Sequence, residues 1–586
     1  MIYWTVYAGL VRFARRIKKA RLRFVARRII IARPPKAFIS HPEPKTIGSF
    51  NRGQQMVAGN FQFAGSVIEA PGRPIWSISD DPDVVRELHG CAWIDDVAAT
   101  GTAAGQRSLQ AWVAEWIRQY GSGSGAGWTP DLTGQRLIHW ISHGITIMRG
   151  QDKRATEAFL RSIARQAGFL SRTWRAAPRG LPRIQAITGL IYVALALEGV
   201  EGALQPNIKR LGKECARWIG ADGGIATRNP EDLMEVFSLL VWAQQVLTEN
   251  GHEPDPRHLA ALERIAPTLR VLRLGDGSLV RFHGGGRGRE GKLDQALAES
   301  RVRSQTMMET RMGFARLASG RTIIVVDAAA PAGGSTSARA HASTLGFEMS
   351  TGRHPLIVNS GPGRYFGPEW ARASRETDCH STVSIHGLSS SAFWNAGYVG
   401  DTFGERLSRR PQRVAIDRAN DVSGVWVLAS HNGFEPDFGL IHERRLFLSP
   451  NGREFRGEDT LGAKSGTASR TLETMQDRVA GPVRFCLHFH LHPDVQASLD
   501  MSGHAVSLKL KSEEVWVFRQ TGGTIALDES AFLDQQRLRP RPTTQIVVHG
   551  AVAEDTAQVT WALTRAQEGN RYSTQTAVTE ELEPLV

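Results

Sequence analysis

The chain reads as a multidomain α+β protein, helices first and an antiparallel β-sandwich second. Three observations predict this. Between about residues 86 and 300, apolar side chains recur every three or four positions, in runs joined by short connections containing Gly and Pro. After about residue 311 the apolar runs shorten, alternate with polar residues and are separated by turn signals, with no helical stretch between them. The 586 residues, 41% apolar and 22% charged, suit two or three globular domains and exclude a disordered or fibrous chain. The expected divisions are 1–37, 38–300 and 301–586.

Residues 1–36 hold eleven Arg and Lys and no acid, so they account for eleven of the thirteen net positive charges and leave +2 for the rest of the chain. Leu10, Phe13, Ile17, Ala20 and Phe24 fall on one helical face, with the cations around the remainder. Pro34-Pro35 is expected to close this helix. Three fates are open to it: packing its stripe on the protein's own body, lying in an anionic membrane surface, or meeting nucleic acid. Arg12 interrupts the opening apolar run far short of the ~20 residues of a membrane span. The charges follow that run rather than precede it, unlike a cleaved signal peptide. No nucleic-acid recognition motif accompanies the basic segment, so a nucleic-acid partner is not expected. The expected location is the cell envelope, or the cytoplasm with peripheral membrane contact.

Residues 38–85 are mixed. Helices are expected over 106–119, 132–148, 154–177, 183–198, 206–219, 231–248 and 257–273. Repeated helical hairpins of this kind wind into a toroid or a solenoid, and no fixed-length repeat decides between them. Strands are expected over 321–327, 355–359, 382–385, 425–429, 445–448, 483–492, 506–510 and 515–519. The glycine tract 283–288 (HGGGRG) lacks the strand–turn–helix setting of a dinucleotide site and reads as a flexible junction. Cys91, Cys215, Cys379 and Cys486 stand singly, which excludes a disulfide framework or a Cys-based zinc module.

Several polar residues carry candidate chemistry. His139 and His143, four apart, share a helical face, and with Arg136 and Trp140 they can line a groove. Trp140 occupies the Glu position of a His-Glu-x-x-His zinc motif and so excludes one. His488, His490 and His492 alternate on one face of a strand, which reads as a polar face toward solvent or a domain interface. His431, His442, Glu443, Arg444 and Arg445 read as a hairpin whose charges border a cleft.

The second half resembles the heparinase II/III family of polysaccharide lyases. The segments that carry the likeness are 339–361 (RAHASTLGFEMSTGRHPLIVNSG), 379–387 (CHSTVSIHG), 431–445 (HNGFEPDFGLIHERR) and 487–495 (LHFHLHPDV). In the first half, 222–230 (DGGIATRNP) and the run 183–198 are similar to the bacterial branch. The resemblance implies an N-terminal (α/α) helical toroid, a C-terminal antiparallel β-sandwich and β-elimination of an acidic, uronate-containing polysaccharide in a groove between them. That reaction needs a neutralised carboxylate, a base for the C5 proton and an acid for the leaving oxygen.

On this chain the resemblance puts Tyr365 near the leaving oxygen, His139 and Arg136 at the carboxylate, and His380 in support. Trp140, His143, Arg339 and Arg364 are the expected sugar contacts. Some family members hold zinc at the positions of His341, Asn359 and His380, which makes zinc the cofactor to test; Asn359 replaces their carboxylate. Arg339 stands where the family often has a catalytic His. If its segment is extended, it shares a face with His341 and Ser343 and can pair with a uronate, but it cannot move a proton. No Tyr matches the family's toroid base, since Arg228 and Asn229 stand there, Tyr192 lies in an apolar helix and Tyr572 in the tail. Two functions follow: a lyase, or a non-catalytic or divergent member that binds cell-envelope polysaccharide.

Overall fold

The computed structural model describes residues 2–29, 31, 35–303, 310–394, 397–403, 406–500 and 502–566; Pro34 and Tyr572 lie outside them. The chain forms two compact units. The first comprises residues 1–221, 234–266 and 295–302, and is helical apart from the hairpin of Asn60–Phe63 and Ser66–Glu69; the second comprises 222–233, 267–294 and 303–586, and holds the larger sheets. Residues 222–233 and 267–294, assigned by sequence to the helical domain, therefore pack with the sheets.

The expected helices form, with small shifts. They are Ala103–Tyr120, Pro130–Ser142, Gly144–Met148, Lys153–Thr173, Leu181–Ala196, Leu204–Trp218, Pro230–Glu249 and Pro256–Val271. The expected run 132–148 breaks in two at His143. Their starts are written locally: Thr102 and Asp152 cap the backbone N–H groups of Gly105 and Ala155, and Pro130 occupies a first-turn position where no N–H is needed. Leu181–Ala196 is apolar all round and buried from Ile184 to Ala196. It lies close against Pro130–Ser142, because a Cβ on Gly134 would sit 2.4 Å from Gln185 O and one on Gly189 2.7 Å from Gly134 Cα.

The N-terminal helix, Ile2–Arg27, behaves differently. It buries Ala8, Leu22 and Ala26, and Arg165 Nη2 donates to the carbonyls of Ala26 and Arg27. Its apolar stripe remains uncovered: Leu10, Phe13, Ile17 and Phe24 are 61%, 63%, 52% and 56% exposed. Packing of that stripe on the protein's own body, one of the three expected fates, is thus not what the structure contains. No helix among the described residues is long and apolar enough to cross a membrane.

In the second unit an eight-stranded antiparallel sheet runs in the order Val414–Asp421, Gly424–His431, Ile441–Leu448, Glu454–Gly462, Thr556–Arg565, Val515–Thr521, Ala505–Lys509, Gln496–Leu499. Two four-stranded sheets accompany it, one built from Thr524–Phe532, Arg541–Val552, Val483–His490 and Val383–Ile385, the other from Phe314–Ser319, Thr322–Asp327, Phe347–Thr351 and His354–Ile357. Side chains from all three meet in one core, where Phe347, Phe455 and Phe489 lie 5.8, 5.3 and 4.9 Å from the Trp561 ring. Trp561 is admitted by Gly457 on the neighbouring strand, where a Cβ would come within 2.1 Å of its ring. The helix Gly466–Val479, with the shorter Pro368–Ala373, Tyr398–Phe403 and Glu435–Phe438, interrupts the strands, contrary to the expectation of none.

Candidate functional site

Asp95, from the helix Trp93–Ala99, is the hub of the polar group in the helical unit. His139 Nδ1 and His143 Nε2 both face its Oδ1, at 3.2 and 2.8 Å, so their four-residue spacing does place them on one face. Burial by itself raises the Asp95 carboxyl, but the charges and hydrogen bonds of the two imidazoles outweigh it and hold the group far below the usual carboxylate range. The His pair is a clamp on a buried acid.

Arg136 and Trp140 require a correction. The Arg136 side chain is fully buried: Nε donates to Gln166 Oε1 at 2.7 Å, Nη1 to His89 O at 2.8 Å and Nη2 to Gly127 O at 3.2 Å. Its guanidinium lies 4.1 Å from the Trp116 ring centroid, and burial pulls its pKa down to about 10. Trp140, 0% exposed, stands edge-on to Trp116 at 5.2 Å. Neither offers a surface to a sugar. The helix Pro130–Ser142 is buried on nearly every side, so three-and-four spacing marked a core helix and not a groove wall.

In the second unit Arg339 ends a 3-10 turn, Gly334–Arg339, and not an extended strand, so the expected shared face with His341 and Ser343 does not exist. Its Nη2 meets Asp232 Oδ1 and Oδ2 at 3.0 and 2.9 Å. Ser343 instead donates to Asp327 Oδ2 at 2.6 Å.

His341 Nδ1 and His380 Nε2 lie 3.0 Å apart. His380 Nδ1 is 2.8 Å from Glu376 O, and a carbonyl only accepts, so that nitrogen carries the proton. The neutral ring's Nε2 then accepts from His341 Nδ1–H. Burial pushes His380 down to about 4 and, together with the neighbouring His380, holds His341 well below its ordinary value. The pair is neutral.

Asn359 is engaged elsewhere: Nδ2 donates to Arg281 O at 3.2 Å and Oδ1 accepts from the Ser381 N–H at 3.3 Å. These three residues do not fit zinc. The two ring nitrogens that face each other share a proton, the amide oxygen is neutral and already bonded, and no group of three or more His, Cys, Asp or Glu among the described residues is placed to hold a metal.

The sequence reading missed the partners of this cluster. His283 Nδ1 accepts from the His341 backbone N–H at 3.2 Å, and its Nε2 is 3.2 Å from Asp327 Oδ2, which leaves its proton facing the carboxylate. Arg228 Nη2 meets the other Asp327 oxygen at 2.5 Å. Burial works against the Asp327 charge, yet Arg228 and His283 keep its carboxyl well below the usual range. The tract 283–288 is therefore a packed, mostly buried turn and not a flexible junction. His283 takes φ +50, and a Cβ on Gly285 would stand 2.6 Å from Asn229 Oδ1. A His followed by three glycines was the available signal.

Tyr365 and Arg364 lie on the 3-10 turn Gly363–Phe366, Tyr365 half-buried and Arg364 exposed with its guanidinium 4.8 Å from the Tyr365 ring centroid. Two further readings are corrected. His488 and His490 are buried, bonded to Ser384 and Ser530, which removes the solvent-facing half of the reading of their strand as a polar face toward solvent or a domain interface. Arg444 and His442 do not border a cleft: both are buried and bonded to Asp459, at 2.7 and 2.6 Å.

Residues 308–562 match the family described as heparinase II/III-like, C-terminal. FtsZ-localized protein C of Caulobacter vibrioides is 29% identical over 552 residues, covering 92% of each chain. Among solved structures, heparinase III superposes with a TM-score of 0.71 at 13% identity, covering 96% of this chain and 92% of its own. A mutant of the heparan sulfate lyase HepC from Pedobacter heparinus gives 0.58 at 14% identity, covering 97% and 89%. A chondroitinase AC lyase solved with oligosaccharides gives 0.50 at 11% identity, covering 88% and 80%. At such identities the likeness establishes the fold, an α/α-toroid helical part followed by antiparallel sheets.

Proposed function

Starting from the premise that the chain is a heparinase II/III family protein, we propose that it keeps the polysaccharide-lyase fold as a binding module without the β-elimination chemistry. One observation carries this reading: the groups that would neutralise and stack a uronate in the helical unit are fully buried, Arg136 hydrogen-bonded within the protein and Trp140 packed edge-on against Trp116. In the β unit the same direction is favoured by Arg339, which cannot move a proton and is held by Asp232, and by the neutral His341–His380 pair.

The N-terminal helix supplies the place of work. An exposed stripe of Leu10, Phe13, Ile17 and Phe24 amid Arg and Lys suits an anionic membrane surface, with the rings and aliphatic chains at the acyl boundary and the cations at the phosphates. The relative's name associates it with FtsZ, and we extend that association to this chain as a membrane-held companion of FtsZ.

Sedimentation of the full-length chain with vesicles tests the proposal. It should pellet with three parts phosphatidylcholine to one part phosphatidylglycerol and stay in solution with phosphatidylcholine alone, and FtsZ should pellet with the anionic vesicles only when this chain is present. Equal binding to both vesicles, or none, defeats the membrane reading. The appearance of ultraviolet-absorbing unsaturated uronate from heparan sulfate, hyaluronan or alginate defeats the non-cleaving one.

A second reading, binding or cleavage of an acidic polysaccharide at the β unit, is favoured by Tyr365 and Arg364. They present a phenol and a guanidinium side by side on a partly exposed turn. In that reading Tyr365→Phe abolishes product release, while Arg364→Ala weakens sugar binding.

A further inference from the structure

A groove on the β unit is used by neither reading. It encloses about 660 Å³ along the helix Gly466–Val479. The helix is locally specified: Ser465 accepts from the Ala468 N–H at its start, and Ala480 ends it in the left-handed region at φ +51. Ala468 and Leu472 face the sandwich and are buried. The polar residues are sorted by sign. Arg470 and Arg478 line the groove, whereas Glu473 and Asp477 are absent from its lining.

Met475 from the helix, with Leu388 and Phe438, gives the groove an apolar part beside Thr467, Thr471 and Thr474. Asp437, which also lines the groove, is already held by Arg409 Nη1 at 2.8 Å. The two groove arginines are exposed, and their bonds are to their own helix: Arg470 Nε donates to Gly466 O at 3.1 Å, and Arg478 Nη1 lies 3.8 Å from Met475 Sδ. Neither is paired with a carboxylate among the described residues. Eight helical residues separate them, a rise of about 12 Å.

We propose that this groove seats an extended acidic peptide of a partner protein. Four residues of extended chain span ~13 Å, so carboxylates four apart reach Arg470 and Arg478 while the apolar side chain between them rests on Met475, Phe438 and Leu388. A volume of 660 Å³ suits a short extended segment rather than a helix about 10–12 Å across. Thr467, Thr471 and Thr474 also line the groove, and their hydroxyls can accept from the backbone N–H groups of such a peptide.

The probe is fluorescein-labelled GGESLSEGG, titrated with the full-length chain by fluorescence anisotropy. Saturable binding is expected. Arg470→Glu and Arg478→Glu should each weaken it about three- to five-fold and together more than ten-fold, with the thermal midpoint unchanged because both side chains are exposed. The doubly substituted chain should instead bind GGKSLSKGG.

No saturable binding, or binding indifferent to both substitutions, overturns the proposal. Equal binding of GGESSSEGG overturns it in favour of a mere polyanion-binding surface. Binding seen only in a chain carrying Glu580→Gln, Glu581→Gln and Glu583→Gln overturns it in favour of the chain's own acidic segment as occupant.

Discussion

Two helices of the first unit carry apolar residues at the same three-and-four spacing and end in opposite situations. Ile2–Arg27 leaves Phe13 63% exposed, while Pro130–Ser142 buries even Arg136 completely. The difference lies in what surrounds each one. Pro130–Ser142 is enclosed by Leu181–Ala196 through Gly134 and Gly189, and by Trp116 and Gln166, so Arg136 and His139 found protein partners. The first helix is held mainly at its C-terminal end, and its cations keep the rest in contact with solvent. Periodicity declares that a face exists; it does not say what covers it.

Acid should separate the two regions most strongly. Burial holds His89 at about 3 and His258 at about 4, against about 6.5 in the unfolded chain. The unfolded state therefore binds more protons between those values. Stability should be full above pH ~6.5 and fall as pH drops toward 4, by up to ~1.4 kcal/mol per pH unit for each group. Urea titrations across this range check it, and a flat profile would break the comparison. The first helix carries only Arg and Lys as charges, so its vesicle binding should be unchanged wherever the fold survives.

Arg136→Ala comes next. It leaves the His89 and Gly127 carbonyls and the Gln166 amide without their donor and opens a cavity, so a loss of roughly 3–5 kcal/mol is expected in urea unfolding. On the other helix, Phe13→Glu with Ile17→Glu should change stability by no more than ~0.5 kcal/mol. The same pair should weaken binding to anionic vesicles roughly a hundred-fold, from two apolar side chains worth about 1.5 kcal/mol each. If these two substitutions destabilise the fold instead, the exposed stripe is not a free surface.

Asp95→Asn should cost about 1–3 kcal/mol at neutral pH. The folded carboxyl is depressed, so its contribution is present above the unfolded value of about 3.9 and is lost as pH falls through the folded one. The wild-type advantage should accordingly shrink in strong acid, read again by urea unfolding. Smallest of all, Tyr365→Phe should leave stability within ~0.5 kcal/mol, since its ring is only half-buried.

Local pattern carried much of the architecture. Leu181–Ala196 was legible from the apolar run 189–197 (GLIYVALAL), which reads as buried helix, and Tyr192 was placed in it correctly. The strands at 322–327 and 483–490 were legible from alternation and branched residues. Gly466–Val479 was not, because its buried contacts reduce to Ala468 and Leu472 and its remaining face is polar. At the candidate sites, sequence found His139, His143, His341 and His380, yet not Asp95, His283 or Asp327, whose partners include His139 44 residues away, His341 58 away and Arg228 99 away, respectively.

By itself, then, the amino-acid sequence determined the order of helices and sheets, the amphipathic basic helix and the family likeness, all of which rest on neighbouring residues and their periodicity. Only the tertiary structure decided which of those polar residues are chemistry and which are core. Arg136 and Arg339 are the same residue type, each beside an aromatic- or glycine-rich segment, yet one is sealed among carbonyls and the other meets Asp232 at the surface. Desolvation and hydrogen-bond partners set a guanidinium's role, and both are supplied by distant parts of the chain.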